Sequence, residues 1–306
     1  MRLASLPSRR VEASDLLDCR DSCPVCLYRG ERRRVLLLQD SPRVYFLECP
    51  YCQACSASHM PSEELLSRFY SSFYDGKKEH VTFDGPERFA AHLVNHLRLA
   101  SSQERFRILD FGGGDGRLAA AVGSRLLSDG RCHCAEVTVV DPHVGEVVVT
   151  ADVTIRRAGG LNEELGEFDL VLASGVLEHM PLLHDVMKRL ADTIAPEGHF
   201  YARTPWNVPL AKLLPRADLS FPAHVHDLGA PFWNQVVQTL QLPLRRRRSG
   251  PSIRQVEFRE APLRALLVAG LKLPGHFESS ISPENRRNRL YRLVGGWEVL
   301  LQRPAI

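Results

Sequence analysis

The segment Ile108-Leu109-Asp110-Phe111-Gly112-Gly113-Gly114-Asp115-Gly116 constrains the fold most. An apolar run ends in glycines, and Leu118, Val122 and Leu126 then recur at helical spacing, so a strand must turn sharply into a helix. Glycines there remove the Cβ atoms that would keep a backbone away from a ligand, and the helix start offers unbonded N–H groups and a positive dipole end. Spacing narrows the ligand. A dinucleotide fingerprint, G-x-G-x-x-G, needs glycine where Arg117 stands, whereas Gly112, Gly114 and Gly116 give G-x-G-x-G. Asp141 closes Val137-Thr138-Val139-Val140-Asp141, 31 residues after Asp110, and is placed to accept both hydroxyl hydrogens of an adenosine ribose. Alone, the glycines would describe only a tight connection; with this acid they point to a nucleotide-like cofactor.

The surrounding pattern alternates strand and helix after Ser101, the sign of a parallel α/β sheet. Strands are expected at 106–111, 137–140, 153–156, 170–173 and 199–203. Helices are expected around Val122, around Leu190, and around Trp233, Val237 and Leu240. The tail reads as strand, helix, strand over 244–258, 261–271 and 297–301. Upstream, Leu65, Phe69 and Phe73 recur on a helix opening near Pro61, a break follows at 75–78, and Pro86 opens a helix bearing Phe89, Leu93 and Leu97. Four parts result: a loosely held tail (1–18), a cysteine-rich module (19–60), a helical connector (61–100) and the cofactor domain (101–306).

The 306 residues include eight cysteines, six of them between Cys19 and Cys55. Cys23-Pro24-Val25-Cys26 and Cys49-Pro50-Tyr51-Cys52 are two C-x₂-C pairs separated by 22 residues, the spacing of a structural zinc ribbon. Four thiolates satisfy tetrahedral Zn²⁺ and staple a module too small to build its own core. Buried free thiols are the plainer alternative. Cys19 and Cys55 are spare, and Cys132 and Cys134 read as an ordinary strand.

At this point the sequence resembles the class I S-adenosylmethionine-dependent methyltransferases. The resemblance runs from Arg105 onward and rests on Ile108 to Gly116, on Asp141, on Phe168 to His179 ending in Leu177-Glu178-His179, and on Ile194 to Pro205. It implies a Rossmann-like α/β sheet of seven strands with an antiparallel last strand. It also implies a cofactor site of Asp110, Gly112, Gly114, Gly116, Asp141, Pro142, Leu161 and Ser174. The acidic residue that many members place after the third strand is missing from Ala158-Gly159-Gly160-Leu161, so the adenine contact there is expected to be backbone or apolar. A zinc ribbon with Cys23, Cys26, Cys49 and Cys52, followed by a tyrosine-bearing helix and then this domain, is similar to bacterial nucleotide-sugar and natural-product C-methyltransferases.

Methyl transfer from a sulfonium is an in-line displacement, so acceptor and donor must be held collinear and an acceptor proton removed where the chemistry requires it. His179, after the fourth strand, and His224, after the fifth, fall at the ligand-binding edge of such a sheet and are candidate bases; Tyr74 is a candidate hydrogen-bonding group. A zinc site from His224 and His226 lacks an evident third ligand. The formal charge of +3 is too small to demand nucleic acid as partner, which favours a small-molecule acceptor. No apolar stretch reaches a membrane-spanning length and no secretory signal is evident, so the expected location is cytoplasmic. Two other functions stay open: an RNA methyltransferase that uses the ribbon to bind its substrate, and a non-catalytic scaffold that retains the cofactor pocket.

Overall fold

The computed structural model describes residues 10–74, 85–97, 99, 102–142, 150, 152–161, 165–214, 219–252 and 295–305, together with 266, 269–270, 273–274 and 277. The expected break at 75–78 and the arginines Arg286, Arg287, Arg289 and Arg292 lie outside the described residues. So do the end of the expected strand at 253–258 and most of the helix at 261–271.

The chain opens with three strands, β1 (Arg33–Gln39), β2 (Val44–Glu48) and β3 (Cys55–Ala57), followed by helices α1 (Glu63–Tyr74) and α2 (Pro86–Val94). The alternating region then gives β4 (Gln103–Phe111), α3 (Arg117–Ser128), β5 (Cys132–Val140), β6 (Val153–Ala158), β7 (Phe168–Ser174), α4 (Leu183–Asp192) and β8 (Ile194–Trp206). Short helical turns surround β9 (His226–Asp227), and β10 (Arg245–Pro251) and β11 (Gly295–Gln302) complete the order.

The large sheet has seven strands in the order β10-β11-β8-β7-β4-β5-β6. β5, β4, β7 and β8 run parallel, and β11 lies antiparallel between β8 and β10. The expected seven-stranded sheet with an antiparallel last strand is therefore present. Its central strands are apolar on both faces, as strands covered by helices on two sides require. Ile108, Leu170 and Leu172 face α2 and α3 through Phe89, Leu93, Val122 and Leu126. Leu109, Val171 and Ala173 face α4 through Leu183, Met187 and Leu190. Each of these valine, leucine, isoleucine, phenylalanine and methionine side chains, once buried, contributes about 1.5–3 kcal/mol.

Three details differ from the sequence reading, and one agrees with it. β8 begins at Ile194 rather than His199, because the Ala195-Pro196-Glu197-Gly198 turn is absorbed as a bulge with Glu197 at φ +61°. The helix around Trp233 is two separate turns, Ala230–Trp233 and Val236–Thr239. The N-terminal segment is held rather than loose from Val11 on: Val11 is buried against Val44, Met60 and Phe221, and its backbone exchanges hydrogen bonds of 2.9 Å with the Gln39 amide. Arg245 to Arg248 occupy the edge strand β10, where charged side chains discourage pairing with another sheet.

The small sheet has the order β1-β2-β3-β9, so its last strand comes from the chain beyond β8. Cys55 pairs with Asp227 and Ser56 with His226. The cysteine module is thereby continued by the segment that carries His224.

Candidate functional site

The two cysteine pairs form matching turns. Leu27 N–H donates to the Cys23 carbonyl at 2.9 Å and Cys23 N–H to Tyr28 at 2.8 Å; Gln53 donates to Cys49 at 2.9 Å and Cys49 to Ala54 at 3.0 Å. Leu27 and Gln53 sit at φ +62° and +60°. This repeated geometry turns both sulfurs of each pair toward one point. Cys23 and Cys52 sulfurs are 3.7 Å apart, as are those of Cys26 and Cys49, and all four lie within 4.8 Å of one another. Four thiolates bound at about 2.3 Å around a tetrahedral ion stand about 3.8 Å apart, so the donor set fits Zn²⁺. Cys55 is buried in β3, its thiol pushed up by burial and by the nearby Asp227 carboxylate, and it lies outside this cluster.

At the carboxyl end of β4, Gly112, Gly114 and Gly116 all adopt positive φ, +68°, +58° and +80°. A Cβ on Gly112 would fall 2.3 Å from Val176, and one on Gly113 would fall 2.3 Å from the Asp110 carboxyl carbon, so the loop closes only with glycine at these places. Gly114 N–H donates to Asp141 Oδ2 at 2.9 Å, which draws the expected ribose acid onto the loop. Asp110 is buried beneath it. Burial first, then the nearby Asp141 and Asp115 carboxylates, push its pKa up to about 7, and Oδ2 has no hydrogen-bond partner. Ser174 ends β7 with its hydroxyl buried and unpartnered. Pro142 is exposed, and Leu161 is half-buried against the α4-side core. Unpartnered buried polar atoms beside a cradle of left-handed glycines fit a polar, nucleoside-sized ligand.

Above the next strands, the turn Leu177–His179 and the segment 223–227 pack together. Val225 bridges the two sheets: its N–H donates to the Glu178 carbonyl at 2.9 Å and its carbonyl accepts from Ala57 of β3 at 2.8 Å. His224 is thus fixed between the cofactor sheet and the cysteine module. Its ring meets His179 edge to face, centroids 4.7 Å apart. His179 Nδ1 is 2.9 Å from the Ala223 carbonyl and 3.0 Å from Tyr70 Oη. A carbonyl can only accept, so Nδ1 carries the proton and Nε2 the lone pair.

Burial lowers the His179 pKa to about 4 and holds His224 well below its ordinary value, so both rings are neutral at pH 7. Glu178 is buried beside them. Desolvation raises its carboxyl to about 7 against the partly offsetting Arg203 charge, and Oε2 has no partner. His226, by contrast, is fully engaged: Nε2 donates to the Met180 carbonyl and Nδ1 accepts from Ser56, each at 2.8 Å. Asp227 accepts from the Asn207 and Val208 backbones at 2.5 and 3.2 Å.

Asp110, the loop glycines, Asp141 and Ser174 therefore share one end of the sheet with His179 and His224. Tyr74 ends α1 and its side chain lies outside the described residues; Tyr70, one turn earlier, makes the contact. In the sequence Glu178 stands only as part of a pattern, and Asp227 only as a neighbour of His224 and His226 on the connection after the fifth strand. An acid flanking a candidate base was the signal available for Glu178.

A family model described as a methyltransferase domain matches residues 80–242. The chain belongs to this methyltransferase-domain family. It is, accordingly, an S-adenosylmethionine-dependent methyltransferase of class I, as the resemblance implied. The ubiquinone biosynthesis O-methyltransferase of Marinobacter nauticus is 25% identical over 175 residues, 54% of this chain and 74% of that protein. The protein of the same description from Chelativorans sp. is 27% identical over 121 residues, 39% of this chain and 47% of its own length. Among solved structures, the plantazolicin methyltransferase BpumL in complex with S-adenosylhomocysteine (SAH) aligns over 79% of this chain and 91% of that one, with 12% identity and a TM-score of 0.45. Among the described residues, no helix is long and apolar enough to cross a membrane.

Proposed function

We propose that this methyltransferase acts on a small-molecule acceptor, a sugar nucleotide or a natural-product or glycan intermediate, bound between the glycine loop and the cysteine module. The supporting observation is the Val225 bridge, which sets His224 and the adjoining His179 at the same sheet end as Asp141. Gly112, Gly114 and Gly116 lie against the cofactor, Asp110 shapes their loop, and Asp141 takes the ribose hydroxyls. Pro142, Leu161 and Ser174 border the remainder of the cofactor. The cofactor supplies an electrophilic methyl on a sulfonium, and the displacement needs the acceptor atom held in line. His224 and His179, neutral and bearing lone pairs, face the acceptor and activate it, with Tyr70 orienting His179 and Tyr74 on the same helix. Cys23, Cys26, Cys49 and Cys52 hold structural Zn²⁺, which fixes the module that grips 226–227.

Transfer of label from radiolabelled S-adenosylmethionine across a panel of such acceptors tests this reading. It fails if none is labelled while Asp141→Ala retains full cofactor affinity.

RNA as acceptor has one observation in its favour. Tyr28 stacks on the exposed Tyr51 at 6.0 Å and 13°, at the tips of the two cysteine turns, and Arg29 adjoins them. Salt-dependent RNA binding, weakened by Tyr51→Ala, would move the assignment to RNA.

A further inference from the structure

We propose that Glu178, His179 and His224 form a second metal site, for a divalent transition-metal ion, at the floor of the acceptor space and separate from the four cysteines. This deepens the function proposed above, since it relies on the acceptor lying over these groups.

One ligand-type atom from each of the three side chains lies within 4.8 Å of the other two. Ligands bound at about 2.0–2.2 Å around a four-coordinate ion stand about 3.4 Å apart, so small side-chain rotations close the site. The surroundings are already those of a ligand set. His179 donates its Nδ1 proton to the Ala223 carbonyl, with Tyr70 Oη beside it, the outer contact that fixes a metal-binding imidazole and aims its other nitrogen. Glu178 is buried, and its Oε2 has no partner, although a buried carboxylate oxygen ordinarily demands one. Arg203 gives the carboxylate partial compensation from its own side. His224 is buried, with no side-chain hydrogen bond among the described residues. The third ligand that a His224 and His226 pair lacks is thus supplied differently, because His226 spends both nitrogens on Ser56 and Met180.

Two imidazoles and one carboxylate suit Zn²⁺, Fe²⁺, Mn²⁺ or Co²⁺ rather than the all-oxygen shells of Mg²⁺ and Ca²⁺. Three protein ligands leave positions open. The ligand class for those positions is an acceptor with a hydroxyl or carbonyl oxygen, which the ion would polarise. In the loaded site the histidine lone pairs hold the ion, so the two histidines activate the acceptor through it rather than as free bases.

The test titrates Co²⁺ into the zinc-loaded full chain and reads visible absorption. The site predicts one further equivalent of Co²⁺ with a nitrogen and oxygen ligand-field spectrum and no sulfur charge-transfer band. Glu178→Gln and His224→Ala should each weaken that equivalent at least tenfold while the cysteine-bound zinc stays in place, which also reports an intact fold. Absence of the second equivalent in the wild type, or its persistence in both variants, overturns the site. Calorimetry with SAH on the same samples separates the two proposals: SAH binding without the second Co²⁺ removes only the metal site, whereas no SAH binding removes the proposed function itself.

Discussion

The two sheets are held together by different means. The seven-stranded sheet has helices on both faces, and its strands bury Ile108, Leu109, Val171 and Leu172 completely. The four-stranded sheet has strands of seven, five, three and two residues, and β1 has no buried residue. Its short strands β2 and β3 bury Val44, Phe46 and Ala57 in two small apolar clusters, its last strand belongs to the cofactor region, and four sulfurs gather on the turns beside it. One sheet is large enough to exclude water from its middle, and the other is small and lies beside a four-sulfur donor set that fits a Zn²⁺ cross-link. Linkage through Val225 ties the small sheet to the Leu177–His179 turn of the cofactor region rather than leaving it an appendage.

Removing the cross-link is the strongest way to break that contrast. Structural zinc in small modules is worth about 10–16 kcal/mol at pH 7. Cys49→Ser with Cys52→Ser should therefore expose the amides of 33–57 and 226–227 to hydrogen exchange, leave β4 to β8 protected, and lower methyl transfer about a hundredfold. Unchanged protection at 226–227 would separate the two sheets and refute the linkage.

Next in size is the cost the large sheet carries at its own site. Asp110 has its folded pKa raised from 3.8 to about 7, so between these values the folded chain binds a proton that the unfolded chain does not. Stability of the ligand-free protein should fall as pH rises from about 4 to 7 and level off above, by roughly 4 kcal/mol at most. Asp110→Asn should then melt higher than the wild type at pH 8 and alike at pH 4; equal melting at both would show that the buried carboxyl costs nothing. Asp141→Ala should weaken SAH binding by about 3 kcal/mol, roughly a hundredfold, through loss of two charge-assisted hydrogen bonds. The double cysteine variant should leave that affinity within about threefold, and calorimetry on both proteins sharpens the division between cofactor and acceptor faces. The smallest effect belongs to the Arg33 and Glu48 pair between β1 and β2, which is largely solvent-exposed. Arg33→Ala should cost under about 1 kcal/mol in a denaturant melt, since an exposed ion pair contributes little.

What the sequence revealed follows the same division. The glycine loop, Asp141 and the cysteine pairs were readable because each is local: a few residue types at fixed spacing require one backbone path. β3 and β9 were not, because strands of three and two residues carry no period, and their pairing joins positions about 170 apart. Val11 sits in a segment with no pattern and is ordered only by the pocket that Val44, Met60 and Phe221 build. The aromatic periodicity of α1 gives Tyr70 no distinction, and its contact with His179 comes from packing that no local pattern encodes. Glu178 reads as an ordinary acid until the fold buries it between Arg203 and two histidines.

A crystal structure of the chain with bound SAH tests the central claim most directly. The account predicts ribose hydroxyls on Asp141, the cofactor against Gly112 to Gly116, and the sulfur opening toward a space bordered by His179 and His224. Ribose hydroxyls directed away from Asp141, or a sulfur facing a wall that excludes both histidines, would contradict it.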